Sequence, residues 1–360
     1  MTSTYQVSLR NVYIYANADE KAGHGHVIRQ LSLAVELRRL GFSVKFLYLF
    51  MAESIKSKLD YAGFEFSKVS PKSLLNIPNQ GDWLIMDDYN LAAIGLSKNT
   101  KTNYFVAGVD DGVEYSDFLF DLVIAPSNVL TAKFRAKRRM QGEQFRLIRN
   151  EITNAKVSKR YDKHSSQLTL TVMLGATDVK NLQESVLKEI SSQLSIQNIN
   201  LISTLTPSHS LTDLMTSLKD IKVNYYQSPD HLGELMSSSD IAVCGAGGTL
   251  YEFLCLGVPT VAVVLAENQQ QAELSDLNNH AYYCVNALKN EAKAISDVSK
   301  YIKSLSANPS LREKMAVLGM NSVPGTGAQL IAQALAAKSG SNVSSAKRLV
   351  KNQKVKSIEK

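Results

Sequence analysis

Two glycine-bearing turns are the places in this sequence where ligand chemistry could sit. The first is Asp19-Glu20-Lys21-Ala22-Gly23-His24-Gly25-His26-Val27-Ile28-Arg29. Gly23 and Gly25 let the backbone turn tightly and approach a ligand, and a helix beginning there would aim unpaired N–H groups at an anion. The motif is not GxGxxG, because position 28 is Ile, and not a P-loop, because no Gly-Lys-Ser/Thr follows. Neither a nicotinamide nor an ATP site is therefore expected. An imidazole titrates near neutral pH, which makes His26 the best general-base candidate among the six histidines. An ordinary capping or packing role for it stays open. His24 and His26 form an HxH pair, but no third ligand follows at a recognisable spacing, so no metal is expected.

The second turn is Cys244-Gly245-Ala246-Gly247-Gly248-Thr249-Leu250-Tyr251-Glu252. Its glycines would let a diphosphate reach a helix N-terminus, where the macrodipole and free N–H groups stabilise it. Two readings of Glu252 are open: a ligand-binding carboxylate, or the far end of a capping box with Thr249, given the T-x-x-E spacing. A third cluster, Leu265-Ala266-Glu267-Asn268-Gln269-Gln270, places the Asn268 and Gln269 amides after an apolar run. They could read a uracil or sugar hydroxyls, or cap a helix. Asp87-Asp88-Tyr89 and Gly175-Ala176-Thr177-Asp178 each follow an apolar run as well. Adjacent carboxylates there could act as acid and base or hold a divalent ion, although Asp after a strand is also a common turn former.

Such turns need rigid elements behind them. Short β-rich runs alternate with helical patterns along the chain, the signature of parallel sheets covered by helices. Strands are expected at Val7 to Ala16, Ser43 to Leu49, Trp83 to Asp87, Tyr104 to Val109 and Leu122 to Ala125. A second series runs through Leu168 to Leu174, Asn198 to Thr204, Lys222 to Tyr226, Ile241 to Cys244, Thr260 to Leu265 and Tyr282 to Val285. Ile28, Leu31, Ala34, Val35 and Leu37 supply the stripe of a helix over Val27 to Leu40 that Gly41 ends; others are expected at His231 to Ser238 and Thr249 to Leu256. The expected organisation is an N-terminal Rossmann-like domain over 1–150, a polar linker over 151–167, a C-terminal Rossmann-like domain over 168–336 and a basic tail over 337–360. Ligand would lie in an interdomain cleft at the carboxyl ends of the strands.

Composition narrows the class. With 360 residues, 44% hydrophobic and 20% charged, the chain can bury two cores. The longest apolar runs fall short of a membrane span, and the N-terminus lacks a secretory pattern. Three cysteines without a CxxC pair make no disulfide framework, so a cytoplasmic setting is expected. The net charge is +7, of which the tail from Ala337 to Lys360 carries +6, leaving +1 for the rest. A nearly neutral body without aromatics interleaved among the basic residues argues against nucleic acid. The tail reads as a solvated extension, or as a docking segment for an acidic partner or membrane.

In order along the chain, Gly23 to Arg29, Asp87-Asp88-Tyr89, Asp110-Asp111, Gly175 to Asn181, Gly245 to Glu252 with Leu256-Gly257-Val258-Pro259, and Asn268-Gln269 resemble the UDP-sugar hydrolases of the pseudaminic acid pathway and their spore-coat polysaccharide relatives. A more distant likeness is to the glycosyltransferase that makes lipid II. The resemblance spans roughly residues 11 to 335. It implies an α/β protein of glycosyltransferase-B architecture that works without metal or cofactor. Water would attack the anomeric carbon of a UDP-linked deoxyamino sugar, and UDP would leave with inversion, in nonulosonic acid biosynthesis of the kind that serves flagellin glycosylation. By the same resemblance His26 is the base, with Asp87 and Tyr89 beside it at the sugar. Gly23, Gly25, Thr177, Asp178 and Asn181 belong to the ligand-binding turns. Gly247, Gly248 and Thr249 match the diphosphate loop, Glu252 the ribose-binding acid, and Asn268 and Gln269 the amides near the sugar. The sequence departs from the family pattern at Tyr15, Asn17, Asp88 and Ala176, where Arg, Asp, His and Gly are usual. Those departures surround the sugar and leave open whether water or another hydroxyl is the acceptor. The alternatives are a glycosyltransferase of the same fold acting on a glycan or protein acceptor and, third, a non-catalytic sugar-nucleotide binder.

Overall fold

The computed structural model describes residues 10–18, 25–88, 94–110, 116–129, 134–156, 167–174, 182–191 and 196–338. The chain divides into two compact units, 1–147 with 326–360, and 148–325. Among the described residues the first unit contains strands β1 (Asn11–Ala16), β2 (Ser43–Tyr48), β3 (Glu65–Lys68), β4 (Trp83–Asp87), β5 (Phe105–Val109), β6 (Ser116–Phe120), β7 (Leu122–Ala125), β8 (Phe134–Ala136) and β9 (Arg139–Gln141). Seven of them form one parallel sheet in the order β3-β2-β1-β4-β5-β7-β9, while β6 and β8 pair separately. Helix α1 (Gly25–Arg39) crosses from β1 to β2, followed by α2 (Glu53–Tyr61) and the short α3 (Pro71–Leu74).

The alternation of side chains along a strand explains the two cores of this unit. Val12, Ile14, Trp83 and Ile85 face the layer that contains Val27, Leu33 and Leu37 of α1. Tyr15, Leu84 and Met86 face the opposite layer with Phe118, Phe120 and Phe134. The same alternation sends Asp87, the last residue of β4, toward α1 and Asp88, the next residue, to the other side.

In the second unit, α4 (Asn150–Asn154) precedes β10 (Leu168–Met173), α5 (Leu182–Ile190), β11 (Ile196–Ser203), α6 (His209–Ser217), β12 (Lys222–Gln227), α7 (Leu232–Ser237) and β13 (Ile241–Gly245). Then come α8 (Gly248–Leu256), β14 (Thr260–Val264), α9 (Gln271–Leu274), β15 (Tyr282–Asn286), α10 (Glu291–Ala307) and α11 (Pro309–Ser322). The six strands are parallel, in the order β12-β11-β10-β13-β14-β15. Val172, Ile199 and Val243 pack toward α5 and α10, whereas Ala242, Cys244 and Ala262 pack toward α8. Gly257 ends α8 in the left-handed region, at φ +70°. Its N–H bonds back to the carbonyls of Phe253 and Leu254, the close a helix makes most cheaply with glycine. Both large sheets reverse strand order beside their first strand, between β1 and β4 and between β10 and β13. Such switch points are where open α/β sheets bind ligands.

Several expectations need correction. Residues 150–154, expected within or beside a linker, form α4 of the second unit; residues 157–166 lie outside the described residues. The final helix α12 (Gly327–Lys338), expected in the C-terminal domain, packs on α1, with Ile331, Ala332 and Leu335 in the core of the first unit. An apolar helical stripe does not state which of two cores it will enter. Strands β3, β6, β8 and β9 were also not expected. β3, Glu-Phe-Ser-Lys, is an edge strand too polar to be found by hydrophobic pattern, and β8 and β9 are three residues each.

Candidate functional site

In the first unit the switch point lies beside the start of α1. Gly25, the first helical residue, has open space where a side chain would stand, while Gly23 lies outside the described residues. His26, Arg29 and Gln30 are spaced i, i+3 and i+4, so one helical stripe carries all three. That stripe faces the end of β4. Arg29 donates from Nε to Asp87 Oδ2 at 2.7 Å and from Nη2 to Oδ1, and Gln30 Nε2 donates to Oδ2 at 2.7 Å. Asp87 is 1% exposed and His26 3%. Burial pushes the Asp87 carboxyl up, but the Arg29 charge and hydrogen bonds, the charge of His26 and the Gln30 amide outweigh it. The net effect holds it below the usual carboxylate range, so Asp87 is ionised at neutral pH.

Asp88 belongs to a different network on the opposite face. Asn17 donates from Nδ2 to Asp88 Oδ2 and, at 3.2 Å, to the Tyr15 hydroxyl. Its Oδ1 accepts from the Leu49 and Phe50 N–H groups at 2.8 and 2.9 Å. The two neighbouring carboxylates are therefore divided between two faces and do not form one acid/base or cation-binding pair. Asn17 thus contacts both Tyr15 and Asp88, and these are the three described positions that depart from the pattern the resemblance implies. Asp110, at the end of β5, is ion-paired to Arg139 of β9 at 3.0 Å. Tyr89 and Asp111 lie outside the described residues.

In the second unit, α8 follows β13 after two residues, Ala246 and Gly247. The N-cap is Gly247, with no side-chain cap bond. This overturns the capping box: Thr249 lies one residue inside the helix and cannot serve as N-cap, and Glu252 is engaged elsewhere. Its two carboxylate oxygens accept from Arg149 Nε at 2.5 Å and Arg149 Nη2 at 2.6 Å. The Glu252 side chain is 10% exposed and that of Arg149 23%. Burial pulls the Arg149 guanidinium down, but Glu252, and then Glu151, hold it above its ordinary range. Sequence reasoning missed Arg149. Its only local signal is an Arg-Asn-Glu run at the edge of a polar segment, and its partner is 103 positions away.

The first turn of α8 leaves backbone donors without side-chain competitors. Gly248 is exposed, and a Cβ there would meet nothing within 4 Å. Gln269 accepts from the Leu265 N–H through Oε1 at 2.9 Å, and a Cβ added to Gly247 would lie 3.5 Å from its Nε2. The structure thus joins Gln269 to the glycine turn, while the adjacent Asn268 is exposed. Thr177, Asp178 and Asn181 lie outside the described residues, as do tail residues 339–360. Among the described residues no three His, Cys, Asp or Glu side chains group as metal ligands, and no helix is long and apolar enough to cross a membrane.

Residues 169–325 match the model of the glycosyltransferase family 28 C-terminal domain. An uncharacterized protein of Methanocaldococcus jannaschii is 27% identical over 282 residues, covering 74% of this chain. The chain spans 57% of the length of that relative. Among solved structures, Acinetobacter baumannii MurG is similar at a TM-score of 0.65 and 14% identity, over 91% of this chain and 99% of MurG. The UDP-GlcNAc 2-epimerase of Neisseria meningitidis, bound to UDP-GlcNAc, is similar at 0.59 and 12%, over 91% and 99%. This chain therefore has the glycosyltransferase-B fold, two Rossmann-like domains, and its second unit is similar to the family 28 C-terminal domain.

Proposed function

We propose that this protein is a glycosyltransferase that moves a sugar from a UDP-linked donor to a hydroxyl of a glycan or protein acceptor. The observation that carries the reading is the match of residues 169–325 to the family 28 C-terminal domain, on a unit whose α8 begins at an uncapped glycine turn. It favours transfer over the hydrolysis expected from the sequence resemblance. In this proposal the Gly247, Gly248 and Thr249 N–H groups receive the diphosphate, Glu252 the ribose hydroxyls, and Asn268 and Gln269 the sugar side. Thr177, Asp178 and Asn181 complete the nucleotide side, and Gly23, Gly25 and Tyr89 the sugar side.

The chemistry needs one base and one stabilised leaving group. An acceptor oxygen attacks the anomeric carbon, its proton passes to His26, and the bond to the β-phosphate oxygen breaks with its electron pair going to UDP. A single displacement of this kind inverts the anomeric centre. Fixed N–H dipoles at α8 stabilise the charge growing on UDP. Asp87, ionised and beside His26, stabilises the imidazolium as it forms, while Arg29 and Gln30 hold that carboxylate in place.

UDP release from a panel of UDP-amino and UDP-deoxyamino sugars, with and without glycan acceptors, tests the reading. Release that requires acceptor and falls by about a hundredfold or more in His26→Ala is expected. Equally fast release without acceptor would return the enzyme to the hydrolases. UDP binding without turnover of any donor would make it a binding protein.

A further inference from the structure

Glu252 is the one charged residue on α8, whose other residues from Leu250 to Leu256 are buried and, apart from the Tyr251 hydroxyl, apolar. An ion pair in such a place gives little net stability, since well-packed apolar residues often do as well or better. Its presence calls for a use that apolar residues could not serve. The partner is unusually well fixed. Arg149 is the N-cap residue of α4, and its guanidinium, which has donors but no acceptor to cap the helix, turns to carboxylates instead. Nε and Nη2 grip the two oxygens of Glu252, and Nη1 donates to Glu151 Oε1 at 2.8 Å. A planar guanidinium held on two sides sets the plane of the carboxylate it grips. A carboxylate offers about four lone-pair directions, and the guanidinium fork uses two.

We propose that Arg149 is a positioning residue that fixes the Glu252 carboxylate, so that its remaining lone pairs accept the two vicinal hydroxyls of a nucleoside diphosphate ribose. This rests on the reading of α8 as the nucleotide helix. The segment around Arg149 supports the same arrangement. Thr153 of α4 and Cys255, one turn beyond Glu252 on α8, both pack on Gly325, where a Cβ would lie 2.9 Å from Cys255 Sγ and from Thr153 Cγ2. Gly325 has φ +82°, so glycine is required there on both counts. Helix α4 is thereby clamped against the face of α8 that carries Glu252, and Arg149 reaches its partner from a fixed base.

The test is calorimetric titration of the full chain with UDP and with 2′,3′-dideoxy-UDP, which lacks both hydroxyls. Wild-type protein should prefer UDP by about tenfold or more, the scale of one or two hydrogen bonds to a charged acceptor. Glu252→Gln should shrink that ratio. Arg149→Met and Arg149→Lys, which keeps the charge but not the fork, should shrink it as well, and Arg149→Met/Glu252→Gln should do no worse than Glu252→Gln alone. A merely structural arginine would weaken both ligands alike or lower the melting temperature without moving the ratio. If folded Arg149→Lys keeps the wild-type preference, the proposal is overturned and the nucleotide reading stands. Should Arg149→Met fail to fold, Arg149→Lys decides. If wild-type protein does not distinguish the two ligands, or binds neither, the ribose role of Glu252 falls and this proposal with it.

Discussion

The two units share a strand plan but equip their switch points differently. In the first, α1 turns polar side chains inward: His26, Arg29 and Gln30 gather around the buried carboxylate of Asp87. In the second, α8 is apolar apart from Glu252 and the Tyr251 hydroxyl, and presents bare backbone at its start. The first arrangement suits moving a proton, because an imidazole and a carboxylate can be set in register by helical spacing. The second suits holding a phosphate, because peptide N–H groups are fixed donors that neither titrate nor reorganise. Each also has an arginine gripping a carboxylate. Arg29 holds a fully buried one that no ligand can reach without rearrangement, whereas Arg149 holds one that stays partly open.

That contrast can be broken most directly at Asp87. Asp87→Ala should cost about 3–5 kcal/mol of stability, because it removes the buried carboxylate that accepts from Arg29 and Gln30 and breaks a buried ion pair. Urea unfolding would show this, and a loss below about 1 kcal/mol would mean the first unit does not depend on its polar cluster. The sign with pH follows from the lowered pKa. The native state binds the Asp87 proton less readily than the unfolded chain, whose value is near 3.8, so its contribution is complete above that pH. It is lost as pH falls from about 3.8 through the lower native value. Asp87→Asn should flatten that acid limb of the stability curve.

A middle-sized effect is expected at the far end of α8. Gly257→Ala places a side chain at φ +70° with its Cβ 2.9 Å from Met320 Sδ. About 1–3 kcal/mol should be lost, read as a lower denaturant midpoint with an unchanged slope. The smallest effect on stability belongs to Gly248→Ala, whose methyl group enters open space and should change stability by no more than about 1 kcal/mol, in the favourable direction. UDP affinity should nevertheless fall by about tenfold, since the methyl stands where a phosphate would meet the backbone. Unaltered affinity would remove the diphosphate from the α8 turn and dissolve the contrast between the units.

The sequence by itself determined the parallel α/β class, most central strands, and the glycine turn before α8. These follow from local periodicity and from glycine, whose effects are confined to a few neighbouring residues. It also placed His26 at the start of α1. What only tertiary structure decided are the pairings between distant residues. Asp87 and Asp88 are identical in local context and are separated by the face of the sheet each one enters. Glu252 has capping-box spacing, but the helix starts two residues earlier than that requires, and its partner comes from the N-cap of α4. Helix α12 joins the first core because its apolar stripe fits α1, a complementarity between surfaces more than 280 positions apart along the chain. Local patterns state what a residue can do; which neighbour it meets depends on packing that no short window of sequence contains.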